Sequence, residues 1–175
     1  MNEKYGLALV GFTLTLACAT AETAGPGGGG AAVGSPVPQM KVTDFDGRKF
    51  DARSLEGQVV LLDIWASWCA PCKEELPLLD SMAARLRGKG VTVLAISIDE
   101  SKEDALGFLK SRRAGWALSL AHDPEGKVAE RLKPSRMPTS YIIDREGIIR
   151  HVNAGFERDD LAKIEARLTQ LAARP

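Results

Sequence analysis

Cysteine and histidine are scarce in this chain, three and two among 175 residues, and the shortage excludes whole classes of chemistry. A closed zinc site takes four ligands, usually cysteine and histidine. Beyond the close pair Cys69 and Cys72 the sequence offers only Cys18, His122 and His151, none of them in a second close pair. No metal and no bound cofactor is therefore expected. A disulfide framework is not needed either, because residues 36–175 are long enough to bury an independent core. An excess of charge of one sign is also missing: 23 Lys and Arg balance 23 Asp and Glu. That leaves no electrostatic footprint for a nucleic-acid partner. His122 and His151 stand alone and read as surface or hydrogen-bonded structural residues, and Trp116, which belongs to no motif, reads as core.

What the chain does have is Trp68-Cys69-Ala70-Pro71-Cys72-Lys73, directly after the apolar run 59–65. Two cysteines separated by two residues at a strand-to-helix junction can close a small disulfide and reopen it, which is a redox switch rather than a staple. A helix beginning near Cys69 would place unpaired amides and the positive end of its dipole at that sulfur, favouring the thiolate. Cys69 is then the nucleophile and Cys72 the resolving thiol. Pro71 suits a first helical turn, since its missing N–H would have been unpaired there. Trp65 reads as core, whereas Trp68, next to Cys69, is placed to screen the thiol from water and to meet a substrate.

Asp63 lies within Val-Val-Leu-Leu-Asp-Ile-Trp. A carboxyl buried in such a strand has its pKa raised by desolvation and can take the proton of the resolving thiol; the alternative is an edge strand on which Asp63 faces solvent.

The segment 63–73 resembles the active-site strand and loop of thioredoxin, and Cys72-Lys73-Glu74-Glu75-Leu76-Pro77 is similar to the TlpA/ResA-like branch of membrane-tethered thiol-disulfide oxidoreductases. The resemblance runs from about Val37 to the C-terminus. It implies an α/β, thioredoxin-like fold: a central mixed β-sheet flanked by helices, with an N-terminal β-hairpin extension over 41–57. It also implies roles. Asp63 falls on the buried aspartate of thioredoxin, Glu75 on a glutamate close to the disulfide, and Glu100 near a second one. Read alone, Glu75 could be an ordinary first-turn carboxylate and Glu100 a loop or capping residue. Met137-Pro138-Thr139 implies a cis proline lying against the Cys-x-x-Cys loop, with Met137 backbone offered to an extended substrate. Ala70, Pro71 and Thr139 join Trp68 and Met137 as expected substrate contacts.

The remaining pattern agrees. Strands are expected over 58–65, 91–98, 139–144 and 148–153, the last two as a hairpin around Arg145-Glu146-Gly147. Between the first two, Leu76, Leu79, Met82, Ala83 and Leu86 recur at helical spacing, Pro77 should kink the helix, and Gly88 and Gly90 should close it. Further helices are expected over 102–112, 129–133 and 158–173.

The N-terminus points outward from the cytoplasm. Lys4, the uncharged run 5–21 and Leu14-Thr15-Leu16-Ala17-Cys18 resemble a bacterial lipoprotein signal, with Cys18 the acylated residue. A plain cleaved signal and an uncleaved anchor are the alternatives, the run reaching the bottom of the roughly 17–25-residue spanning range. The expected organisation is a signal peptide over 1–18, a flexible glycine-rich tether over 19–35 and one domain over 36–175.

The function expected is reduction of disulfides by a lipid-anchored monomer in the bacterial envelope, on the periplasmic side; the TlpA/ResA-like resemblance implies exported cysteine-containing proteins such as apocytochrome c as substrates and a membrane thiol-electron donor that re-reduces the pair. Two alternatives stay open, a thiol oxidant and a copper chaperone of the same fold. Peroxiredoxin-like chemistry fits poorly, because Ala66 stands three residues before Cys69 where Thr or Ser would be needed.

Overall fold

The computed structural model describes residues 31–51, 55–110 and 115–174. Its centre is β3 (Val59–Trp65), all seven residues of which are buried. A strand hidden on both faces must read as a continuous apolar run, and this one does except at Asp63. β3 pairs in parallel with β4 (Val91–Ser97) and antiparallel with β6 (Thr139–Ile143). Outside these lie β5 (Ser119–His122), parallel to β4, and β7 (Ile149–Ala154), antiparallel to β6. The hairpin of β1 (Lys41–Asp44) and β2 (Lys49–Asp51) is added to β5, completing a seven-stranded mixed sheet of order β2-β1-β5-β4-β3-β6-β7. The hairpin turns where Asp44 Oδ1 accepts the Asp46 and Arg48 N–H groups at 2.9 and 2.7 Å, with Gly47 at φ +90°, a conformation glycine adopts without steric cost.

Side chains alternate across the sheet, and the two faces build two cores. Val59, Leu61 and Trp65 pack against α1 (Ala70–Leu86), α2 (Lys102–Leu109) and α4 (Asp160–Ala172), through Leu76, Leu79, Leu109, Ile164 and Leu168. Val60, Leu62 and Ile64 pack on the other face with Val128 and Leu132 of α3 (Lys127–Leu132). α1 buries Cys72, Glu75, Leu76, Leu79, Met82, Ala83 and Leu86, the three-and-four spacing of one helical stripe. Pro77 lies inside α1, and the helix continues through it to Leu86. Gly88 and Gly90 end it at φ +75° and +72°.

Several boundaries differ from expectation. α2 ends at Leu109 rather than 112, and residues 111–114 lie outside the described set. α3 begins two residues before 129, and α4 is shorter than 158–173 at both ends. β5 was not expected at all. The domain boundary at 35/36 also shifts. Residues 31–35, assigned to the tether, are hydrogen-bonded onto the domain: Ala31 N–H to Leu132 O at 3.2 Å, Gly34 N–H to Ile149 O at 2.8 Å, and Ile149 N–H to Ser35 O at 2.9 Å. The expected signal peptide, Cys18 and the first part of the tether lie outside the described residues.

Candidate active site

Cys69 is the N-cap of α1. Its backbone is extended (φ −86°, ψ 102°), and its Sγ accepts the Cys72 N–H at 3.3 Å. The orphan amides and dipole of a 17-residue helix therefore converge on this sulfur and favour its thiolate form. In the structure Cys69 and Cys72 are joined by a disulfide, with Cα atoms 5.3 Å apart. Cys69 is 5% exposed and Cys72 1%, so the first of the two is the more accessible. Trp68, Ala70 and Pro71 beside it are exposed, Trp68 to 65%.

A second segment meets this one from the start of β6. The Met137–Pro138 peptide bond is cis, and Met137 is half-buried against the core cluster that contains both cysteines. The side chain of Thr139 is buried and its Oγ1 donates to Arg136 O at 2.6 Å, so the side chain braces the turn before Pro138.

Two carboxyl groups lie in the core on the side of the cysteines. Asp63 shares the face of β3 that carries Leu61 and Trp65, the face packed on Cys72 and Leu76. Glu75 follows Cys72 by three residues on the buried stripe of α1. Each is 1% exposed. Ser140 Oγ donates to Asp63 Oδ1 at 2.9 Å, whereas Asp63 Oδ2 and Glu75 Oε2 have no partner among the described residues. Burial pushes the Asp63 carboxyl up to about 7, against the Ser140 hydrogen bond that pulls it down. Burial, and then the charge of Asp63, push Glu75 up to about 9. Asp63 is thus interior, not on an edge.

Glu100 is exposed, ahead of the helix cap Ser101. The carboxylate that turns inward from this segment is its neighbour Asp99, which sequence reasoning missed. Asp99 accepts the Ser67 N–H at 3.1 and 2.9 Å, the Ser67 Oγ–H at 2.7 Å and the Ser97 Oγ–H at 2.8 Å. It ties the end of β4 to the residues immediately before Trp68 and Cys69. The signal was available in Ser97-Ile98-Asp99, since the C-terminal ends of neighbouring parallel strands lie together and are where α/β sheets build sites. His122, 9% exposed, supports the same segment, its Nε2 lying 2.7 Å from Asp99 O while its ring stacks on Phe45. It is structural, as read from the sequence.

Residues 33–152, a span that holds every side chain of this site, match the AhpC/TSA family. The chain belongs to the AhpC/TSA family. It is 30% identical over 122 residues to the thiol-disulfide oxidoreductase ResA of Bacillus subtilis (strain 168), covering 70% of this chain and 67% of that protein. It is 28% identical over 158 residues to ResA of Geobacillus kaustophilus, covering 90% and 86%. Among solved structures, a thiol:disulfide interchange protein DsbE from Chlorobium tepidum superposes with a TM-score of 0.75 at 31% identity, covering 81% of this chain and 99% of that one. The exposed lipoprotein thioredoxin Etrx1 of Streptococcus pneumoniae gives 0.65 at 28% identity, covering 75% and 100%. This AhpC/TSA member is a thiol-disulfide oxidoreductase of thioredoxin-like fold, with Cys69 and Cys72 at disulfide distance. Among the described residues no group of three or more His, Cys, Asp or Glu is placed to hold a metal ion, and no helix is long and apolar enough to cross a membrane.

Proposed function

We propose that the protein reduces disulfides in exported cysteine-containing proteins, using Cys69 as nucleophile and Cys72 as resolving thiol. The observation that carries this reading is Cys69 at the helix cap, its sulfur facing the α1 amides, with Asp63 buried on the side of Cys72. In the reduced protein the Cys69 thiolate attacks one sulfur of a substrate disulfide. A mixed disulfide forms, and one substrate thiolate leaves. Cys72 then loses its proton to Asp63, and its thiolate attacks Cys69 Sγ. The Cys69–Cys72 disulfide closes, and the second substrate thiolate is released. Two electrons pass from the dithiol to the substrate, whose two thiolates take up protons.

Pro138 and the Met137 backbone are the platform along which an extended substrate segment pairs, and Trp68, Ala70 and Pro71 form the apolar contact around the mixed disulfide. The compartment reading rests on Cys18 within Leu14-Thr15-Leu16-Ala17-Cys18 and on the likeness to a pneumococcal lipoprotein. It gives a monomer tethered by lipid to the periplasmic side of the envelope. There a membrane thiol-electron donor restores the dithiol, and apocytochrome c is one substrate of suitable chemistry.

The test is reduction of insulin and trapping of intermediates. Cys69→Ser abolishes reduction, with a loss of more than about a thousandfold when the attacking group is removed. Cys72→Ser accumulates a mixed disulfide through Cys69. Equal residual turnover in the two variants would overturn the assignment of attacking and resolving sulfur.

A further inference from the structure

Two carboxyl groups buried together, with no cation turned toward them, are not both ionised at neutral pH. Few groups face Asp63 among the described residues. α1 buries Cys72 in the cluster on this face of β3 and Glu75 within reach of the Asp63 charge, while its Lys73 is exposed, with Nζ 6.0 Å from the centre of the Phe108 ring. β4 carries no charged residue. The one titratable side chain of β6, Tyr141, packs in the core on the opposite face of the sheet. α2 buries only Ala105 and Leu109, and α4 only Ile164 and Leu168. Among the described residues the charge that settles on this pair therefore meets no counter-ion, and hydrogen bonding decides where it sits.

Ser140 makes the two carboxyls unequal. It stands directly opposite Asp63 in the β3–β6 register, and its hydroxyl donates to Asp63 Oδ1 at 2.9 Å. Among the described residues Glu75 Oε2, like Asp63 Oδ2, meets no donor, so the Ser140 hydroxyl is the hydrogen bond seen on the pair. A hydrogen bond donated to a carboxylate favours the charged form. We propose that Asp63 and Glu75 act as one proton-sharing unit in which Ser140 assigns the negative charge to Asp63 and leaves the proton on Glu75, so that Asp63 alone is the base for Cys72.

The inference rests on the reading above that Cys72 gives up its proton in the resolving step. In that step the Cys72 S–H bond breaks and the proton moves to Asp63. The sulfur electron pair forms the bond to Cys69 Sγ as the bond from Cys69 to the substrate sulfur breaks. The departing substrate thiolate is protonated in turn by Asp63 or by water. Glu75 keeps its proton throughout. Ser140 is a positioning residue: it acts on the sulfur only through Asp63.

The experiment follows the side-chain carboxyl carbons of Asp63 and Glu75 by NMR against pH in the oxidised full chain, without substrate. Its outcome is therefore independent of whether the protein reduces or oxidises its partners. Ser140→Ala raises the Asp63 midpoint by about one pH unit, the scale of one hydrogen bond to a charged carboxylate. Ser140→Thr keeps a hydroxyl and returns the midpoint toward that of the native protein. Glu75→Gln, which imitates the protonated glutamate, leaves the Asp63 midpoint in place, while Asp63→Asn lowers that of Glu75. The pH profile of insulin reduction shifts upward in Ser140→Ala together with the Asp63 midpoint. A fall of about one unit at Asp63 in Glu75→Gln would show that Glu75 carries the first charge and would overturn the assignment. So would an Asp63 midpoint and rate profile unmoved in Ser140→Ala. Should Ser140→Ala not fold, the Glu75→Gln titration decides alone.

Discussion

Buried carboxyls set how the protein responds to pH, and the direction of each follows from its surroundings. Unfolded Asp63 loses its proton near its ordinary value of 3.8, while burial holds the folded group protonated up to about 7. Between these values the folded state binds a proton the unfolded state has lost, so stability falls as pH rises. Glu75 extends the same loss from its ordinary 4.5 toward about 9. Below both ordinary values the two states carry the same protons and the penalty vanishes. Asp144 runs the other way. Despite its burial, the Ile148 N–H and Arg150 hold its carboxyl below the ordinary value, so its contribution is lost only as pH falls through the acid range. The urea midpoint of the oxidised protein is accordingly expected to fall between about pH 5 and pH 8. Asp63→Asn flattens that fall and raises stability at pH 8 by more than about 1 kcal/mol, the worth of less than one pKa unit, while slowing the resolving step. A native midpoint that does not change across this range would contradict the burial argument.

At the scale of elements, the tie from Asp99 at the end of β4 to Ser67 before α1 makes a comparable demand. Asp99→Ala leaves the Ser67 N–H without its two short contacts to carboxylate oxygen. The expected cost is about 1–3 kcal/mol by urea unfolding, with slower insulin reduction because the segment leading into Cys69 loses its anchor. Asp99→Asn keeps an acceptor oxygen and retains most of both. Lost stability with an unchanged rate would confine Asp99 to the fold. β3, β4 and α1 were legible because their apolar periodicity is strong and local. β5 was not: Ser119–His122 has only Leu120 and Ala121 as its apolar residues, and it becomes a strand by pairing with β4 and β1 from distant parts of the chain. The same distance hid Ser140, whose partner Asp63 lies 77 residues away. Cys69, Cys72 and Asp63 could be read from one short segment. The cis state of Met137–Pro138 could not be read from its own residues, where trans is the commoner form, and came from the resemblance. The inward side chain of Thr139 was not legible, because strand alternation next to a proline turn does not say which face is open.

At the scale of the whole molecule, the fold brings residues from three separate stretches to one end of the sheet. Trp65 pairs with Ser97 at the end of the parallel strands β3 and β4, and Ile64 pairs with Thr139 at the start of antiparallel β6. The Cys-x-x-Cys turn, the Asp99 tie and Pro138 all follow from that register. Residues 31–35 hydrogen-bond beside β7 and α3, so the folded unit extends before Ser35. The direction in which electrons flow is set by the difference in stability between the dithiol and the disulfide, to which the helix terminus, the buried carboxyls and the surrounding core all contribute. The reduction potential of the Cys69–Cys72 pair in the full chain, equilibrated against dithiothreitol and glutathione buffers, tests the account most directly. A reductant is expected near the thioredoxin end of the scale, about −270 mV, and a value near about −120 mV would contradict the account by making the protein an oxidant of exported thiols.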